Sequence, residues 1–131
     1  MRLLADTNVF VKFCHRQPLP RAVETTLANP DTIRCLSPIS VLEIFRLSKA
    51  GRILVNPDSW LDQALAAWTI LPVTVPIARL SALWDWPHKD PADRLIAATA
   101  QIEGVELWHT DTTLKKLKGF PARYFTNILE G

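Results

Sequence analysis

The sequence predicts an α/β domain, a central parallel sheet flanked by helices, and three features predict it. Short apolar runs at residues 3–5, 32–36, 71–75 and 105–108 alternate with longer amphipathic stretches, the rhythm of strand–helix units. Three of the stretches between them open on a polar residue followed by proline, at Ser37-Pro38, Asn56-Pro57 and Asp90-Pro91. Such a side chain caps free N–H groups, and proline fills the first helical position without losing a hydrogen bond. The 131 residues are enough to bury roughly two-thirds of the unfolded surface, so residues 1–131 are read as one domain without repeats or linkers.

Leu3, Leu4 and Ala5 form a buried central strand that ends on Asp6, and residues 9–15 follow as one or two helical turns. Pro20 opens a helix to about Asn29, and residues 32–36 make the second strand. The helix from Pro38 runs to about Ala50, with Gly51 as its stop, and sets Ser40 and Glu43 among Ile39, Leu42, Ile44, Phe45 and Leu47. Asn56-Pro57 starts a helix through Trp68, on which Trp60, Leu61, Ala64, Leu65 and Trp68 form an apolar stripe. Residues 71–75 read as a strand despite Pro72, Pro76 opens a helix to Trp84, and Trp86-Pro87 breaks the chain. The helix after Asp90 runs to Glu103 and stops at Gly104. Its residues 93, 96, 97 and 100 share one face. Residues 105–108 form a strand ending at His109-Thr110-Asp111, residues 112–118 a helix ended by Gly119, and residues 124–128 an edge strand.

A net charge of +2, from 15 basic and 13 acidic residues, excludes a polycation that coats nucleic acid over its whole surface. Basic residues cluster instead at Arg46, Lys49 and Arg52, at His88, Lys89 and Arg94, and at Lys115, Lys116 and Lys118, local surfaces suited to a phosphate backbone. Cys14 and Cys35 stand in unrelated contexts and read as buried apolar residues of a reducing compartment. No apolar run reaches membrane-spanning length, and the first residues do not form a signal peptide, so a cytoplasmic location is expected. Five Trp and 48% hydrophobic residues exceed the needs of one small core and predict a homodimer or partner face.

Chemistry is carried by four acids. Asp6 and Asp111 end strands, while Glu43 and Asp93 lie in early turns of helices that follow cap-and-proline starts. In a parallel α/β sheet all four points fall along the carboxyl edge, where ligands bind. Taken singly, Asp6 and Asp111 read as caps, Glu43 as a capping-box partner and Asp93 as a first-turn acid complementing the helix dipole. Together they repel and raise one another's pKa unless a cation joins them. An all-oxygen donor set points to Mg²⁺ or Mn²⁺.

The segments Leu3-Leu4-Ala5-Asp6-Thr7-Asn8, Ser37-Pro38-Ile39-Ser40-Val41-Leu42-Glu43-Ile44, Asp90-Pro91-Ala92-Asp93-Arg94-Leu95-Ile96-Ala97-Ala98-Thr99-Ala100 and Thr110-Asp111 resemble, in order, the four motifs of PIN-domain nucleases, and of the VapC-type toxins in particular. The resemblance spans nearly the whole chain. It implies a Mg²⁺-dependent endoribonuclease held inactive by a small VapB-like antitoxin, with Asp6, Glu43, Asp93 and Asp111 matching the family's acids. His109 departs from the pattern, since the family often has a hydroxyl residue two before its last acid. An ion held by Asp6, Asp93 and Asp111 is expected to acidify water and polarise a phosphate, with Glu43 placing or deprotonating that water.

Other chemistries lack their residues. The glycines are Gly51, Gly104, Gly119 and Gly131, which form no phosphate cradle, and three histidines without metal spacing do not make a zinc site. A phosphatase of the haloacid dehalogenase type needs a second acid two residues after the first, where this chain has Asn8. Two alternatives keep the fold: a housekeeping RNA-processing nuclease, and a non-catalytic interaction module, which would normally lose some of the acids.

Overall fold

The computed structural model describes residues 1–53 and 55–126. Its strands are β1 (Arg2–Ala5), β2 (Ile33–Leu36), β3 (Thr69–Ile70), β4 (Glu106–His109) and β5 (Ala122–Tyr124). They lie in the order β3-β2-β1-β4-β5, every pairing parallel. From β1 the chain builds outward to β2 and β3 on one side, then crosses to β4 and β5 on the other. The order therefore reverses between β1 and β4, where a parallel sheet opens a crevice at its carboxyl ends.

The helices are α1 (Thr7–Cys14), α2 (Arg21–Ala28), α3 (Pro38–Lys49), α4 (Leu61–Leu65), α5 (Val75–Leu83), α6 (Pro91–Glu103) and α7 (Thr112–Lys115). Alternation along β1 divides the core. Leu3 and Ala5 pack with Val9, Phe10, Leu27 and Trp108, while Leu4 packs with Cys35, Ile96, Ala100 and Leu107. Complete burial of such a leucine contributes about 1.5–3 kcal/mol, which anchors the central strand from both faces. The predicted face of α6 is the one that packs: Ile96, Ala97 and Ala100 are fully buried and Asp93 partly so.

Both cap-and-proline starts that frame the site form as expected. Ser37 Oγ accepts from the Ile39 N–H at 3.0 Å and Asp90 Oδ1 from the Ala92 N–H at 3.0 Å. The stops form too, with Gly51 and Gly104 at φ +72° and +62°.

Four expectations are corrected. The stretch from Asn56 to Trp68 is not one helix: Asn56 caps a 3₁₀ turn, Pro57–Ser59, and Trp60 at φ −140° interrupts it before the five-residue α4. The bend lets Trp60 and Trp68 both reach Phe10, with ring centroids 6.2 and 4.9 Å away. The strand expected at residues 71–75 lies earlier, as β3, because pairing with β2 ends where the Leu71 N–H donates to Leu36 O at 3.0 Å and Pro72 has no N–H to continue it. The helix expected over residues 112–118 stops at Lys115. The edge strand expected at 124–128 is β5, which overlaps it only at Tyr124; Asn127 and Ile128 lie outside the described residues. Cys35 is buried as expected, whereas Cys14 is only half-buried, and both are free thiols.

Candidate active site, an acidic groove at the carboxyl edge

A groove of about 870 Å³ is lined by all four predicted acids, Asp6, Glu43, Asp93 and Asp111, and by Asp90. Val11, Leu47, Ile53 and Val55 supply apolar wall, and His15, Gln17 and Arg52 further polar groups. Each acid arrives on a different element. Asp6 closes β1, whose pairing with β4 is extended by the Asp6 N–H donating to Trp108 O at 3.1 Å. Glu43 projects from α3, Asp93 from the first turn of α6, and Asp111 from the end of β4.

The structure separates the acids that cap helices from those that do not. Asp6 precedes α1, yet its carboxylate makes no cap hydrogen bond. Glu43 is not a capping-box partner: its Oε1 lies 2.6 Å from Thr7 Oγ1, which is also 2.8 Å from Ser40 Oγ. With the single Thr7 proton on the carboxylate, Ser40 donates to Thr7, and the hydroxyls form a relay that orients Glu43. Asp93 Oδ2 lies 2.7 Å from His88 Nε2. Asp111 does act as a cap, its Oδ1 accepting the Thr113 N–H at 2.8 Å, and its own N–H donates to His109 Nδ1 at 3.2 Å. His109 thus holds the backbone at Asp111 through its imidazole. Asn8 Nδ2 donates to Thr110 Oγ1 at 3.2 Å and ties α1 to the end of β4.

Electrostatics follow from this crowding. Asp6 is 8% exposed, and its pKa is pushed up to about 7, first by burial and then by the charges of Asp93, Glu43 and Asp111. Glu43 is also raised, chiefly by burial, with the Thr7 hydrogen bond opposing. Asp93 is raised for the same reason, against the hydrogen bond from His88. Burial lowers the pKa of His109. Three neighbouring carboxyls displaced upward show that their negative charges are costly together in this groove, a cost that a divalent cation would relieve.

The donor chemistry fits such an ion, since it consists of carboxylate oxygens beside one imidazole. The expected ligand trio was Asp6, Asp93 and Asp111. Among the described residues, the trio whose donor atoms all lie within 4.8 Å of one another is instead His88, Asp90 and Asp93. Only Asp93 belongs to both. Sequence reasoning placed His88 in a basic cluster and gave Thr7 no role; neither has a signal in a sequence read without the packing of α1 on α3 or the path of the loop before α6. Arg94 leaves its expected surface cluster altogether, because its guanidinium bonds backbone carbonyls of Ser81, Trp84 and His88.

A five-stranded parallel sheet with acids gathered over its switch point defines a class, the α/β domain with a cation-ready groove at the carboxyl edge. The chain belongs to the PIN domain family, whose model matches residues 3–119. No curated protein matches the sequence. Among solved structures, the chain is similar to one in VapBC2 from Rickettsia felis bound to a DNA fragment from its promoter, with a TM-score of 0.72 and 18% identity over 95% of this chain and 98% of that one. It is also similar to a chain of FitAcB from Neisseria gonorrhoeae, with a TM-score of 0.58 and 29% identity over 86% of this chain and 88% of that one. A toxin–antitoxin complex from Klebsiella pneumoniae matches with a TM-score of 0.62 and 24% identity over 84% and 87% of the two chains.

Proposed function

We propose that this protein is a Mg²⁺-dependent endoribonuclease, with Mn²⁺ as a working substitute, and the toxin of a toxin–antitoxin pair. The observation that carries the reading is the convergence of Asp6, Glu43, Asp93 and Asp111 on one groove of about 870 Å³, where burial and the acidic neighbours push the Asp6 carboxyl up to about 7. Asp6, Asp93 and Asp111 would hold the ion, and Glu43 completes the catalytic set. When bound, the ion supplies Lewis-acid polarisation of a phosphate and brings the acidity of water toward neutral.

The chain's own residues do the rest. Glu43, oriented by Thr7 and Ser40, stands ready to accept a proton from attacking water. Burial of Asp6 strengthens its charge interactions with Asp93, Glu43 and Asp111. Arg52 lines the groove, with Arg46 and Lys49 exposed on the adjoining α3, a cationic margin for RNA phosphates. Lys115, Lys116 and Lys118 are likewise exposed.

The VapBC2 and FitAcB likenesses, with that to a toxin–antitoxin complex, support a small antitoxin partner, and the acidic groove suits an inhibitory Arg or Lys that pairs with the carboxylates. The apolar surface available to partners includes leucine, as expected, but not the tryptophan expected beside it. No tryptophan is among the exposed large hydrophobics; Leu42 at 52%, Phe45 at 37% and Leu83 at 72% are. A homodimer and the antitoxin contact therefore rest on these aliphatic and phenyl groups. No helix among the described residues is long and apolar enough to cross a membrane, and the proposed place of action is the cytoplasm.

Two assays test the proposal. Purified protein should cut RNA with Mg²⁺ or Mn²⁺ and stop on addition of EDTA; equal cleavage with chelator would overturn it. Induced in a bacterial host, the wild type should arrest growth while Asp6→Ala does not. Normal growth with metal-active protein would assign a housekeeping RNA-processing role, and absence of metal-dependent cleavage would leave an interaction module.

A further inference from the structure

One side chain, Arg94, ties the loop between α5 and α6 at three carbonyls. Arg94 Nε donates to Ser81 O at 2.8 Å and Nη1 to His88 O at 2.9 Å, and Nη2 donates to Trp84 O. Its guanidinium carbon also sits 5.4 Å from the centroid of Trp86. Trp86 is stacked on Trp84 at 4.1 Å and 12°, and its Nε1 donates to Lys118 O at 3.1 Å. The loop thus has little freedom where it delivers His88, whose Nε2 lies 2.7 Å from Asp93 Oδ2 with both side chains largely covered, 23% and 14% exposed. Arg94 and Asp93 are chain neighbours on α6, so the helix that carries the acid also carries the clamp on the acid's hydrogen-bond partner.

We propose that Arg94 and His88 are positioning residues for the acidic site. Arg94 holds the loop, the loop holds the imidazole, and the imidazole occupies one oxygen of Asp93, leaving the other as a ligand in a single orientation. A planar guanidinium can serve three carbonyls at once, whereas a lysine ammonium cannot match that fork. Hydrogen-bond partners behind metal ligands set ligand orientation in this way, and their loss weakens binding roughly ten- to a hundredfold. The proposal rests on the reading of Asp93 as a metal ligand.

The test is calorimetric titration of the full chain with Mn²⁺ and with Mg²⁺, accompanied by thermal melts and independent of RNA cleavage. His88→Ala and Arg94→Lys should each weaken Mn²⁺ binding roughly ten- to a hundredfold in folded protein. His88→Gln, whose amide can still donate to Asp93, should recover most of the loss with the Mn²⁺ to Mg²⁺ preference unchanged. Arg94→Lys should add nothing in the His88→Ala background, since both act through one contact. Full additivity, unchanged affinity in His88→Ala, or an unfolded Arg94→Lys would overturn the proposal. So would His88→Gln binding as weakly as His88→Ala with the Mn²⁺ preference lost, which would make His88 a direct ligand. A wild type that binds neither ion would instead overturn the metal-site reading itself.

Discussion

Thr7 Oγ1 lies 2.6 Å from Glu43 Oε1, a contact that joins the first residue of α1 to the second turn of α3 across 36 positions of sequence. It makes Glu43 a held carboxylate rather than a solvated one. Thr7→Val keeps the shape and removes the donor, so cleavage should fall about tenfold, a part of the roughly 10²–10⁴-fold that a positioned proton acceptor contributes, with Mn²⁺ affinity nearly unchanged. Thr7→Ser should restore most of the rate. Single-turnover cleavage beside a Mn²⁺ titration checks both, and equal rates for Thr7→Val and wild type would remove Thr7 from the account.

Asp6 links the site to stability. Its carboxyl loses a proton near pH 7 in the folded chain, against an ordinary value of 3.8, so between those limits the folded state is the one that holds the proton. The associated stability is complete below about pH 3.8 and is lost as pH rises through about 7. Asp6→Asn abolishes that loss and should raise the melting temperature by about 5 °C at pH 8, with a smaller gain at pH 5. His109, whose pKa is lowered, works in the opposite sense, destabilising the fold as pH falls below its ordinary 6.5, and cancels in the comparison of variant with wild type. A gain larger at pH 5 than at pH 8 would contradict the assignment.

Asp90 and Asp93 stand three residues apart and divide the labour of one helix turn. Asp90 caps α6, so Asp90→Ser should keep the cap and most of the cleavage activity, while Asp90→Ala should cost about 1 kcal/mol of stability. Asp93→Asn should leave the fold intact and abolish metal-dependent cleavage. Melting curves and an RNA cleavage assay of the three variants decide it, and reversed effects on activity would misplace the ligand.

Gly119 backs the same loop from the other side. At φ +107°, a Cβ there would stand 2.9 Å from Trp84 Nε1, so Gly119→Ala combines backbone strain with a clash against the Trp84–Trp86 stack. It should cost about 1–3 kcal/mol, whereas Gly104→Ala, with open space around it, should cost less. Urea denaturation of the two variants measures the difference.

The legible parts of this chain are those where local chemistry and tertiary structure agree. Ser37-Pro38 and Asp90-Pro91 cap the two helices that carry Glu43 and Asp93, and alternation along Leu3, Leu4 and Ala5 is resolved into two buried faces. Asn56-Pro57 carries the same signal and opens only a 3₁₀ turn, because burying Trp60 and Trp68 around Phe10 outweighs continuing a helix. The four acids were readable because the carboxyl edge of a parallel sheet collects strand ends and helix starts. Thr7, His88 and Arg94 were not, since each acts through a partner set by packing: α1 on α3, or the loop on α6.

The most direct test of the central claim is anomalous diffraction from crystals of this protein soaked in Mn²⁺. The account predicts a single dominant peak in the groove within ligand distance of Asp6 and Asp93, absent from crystals of Asp93→Asn. A fully occupied peak elsewhere, or none in the groove of a protein that cleaves RNA with Mn²⁺, would contradict it.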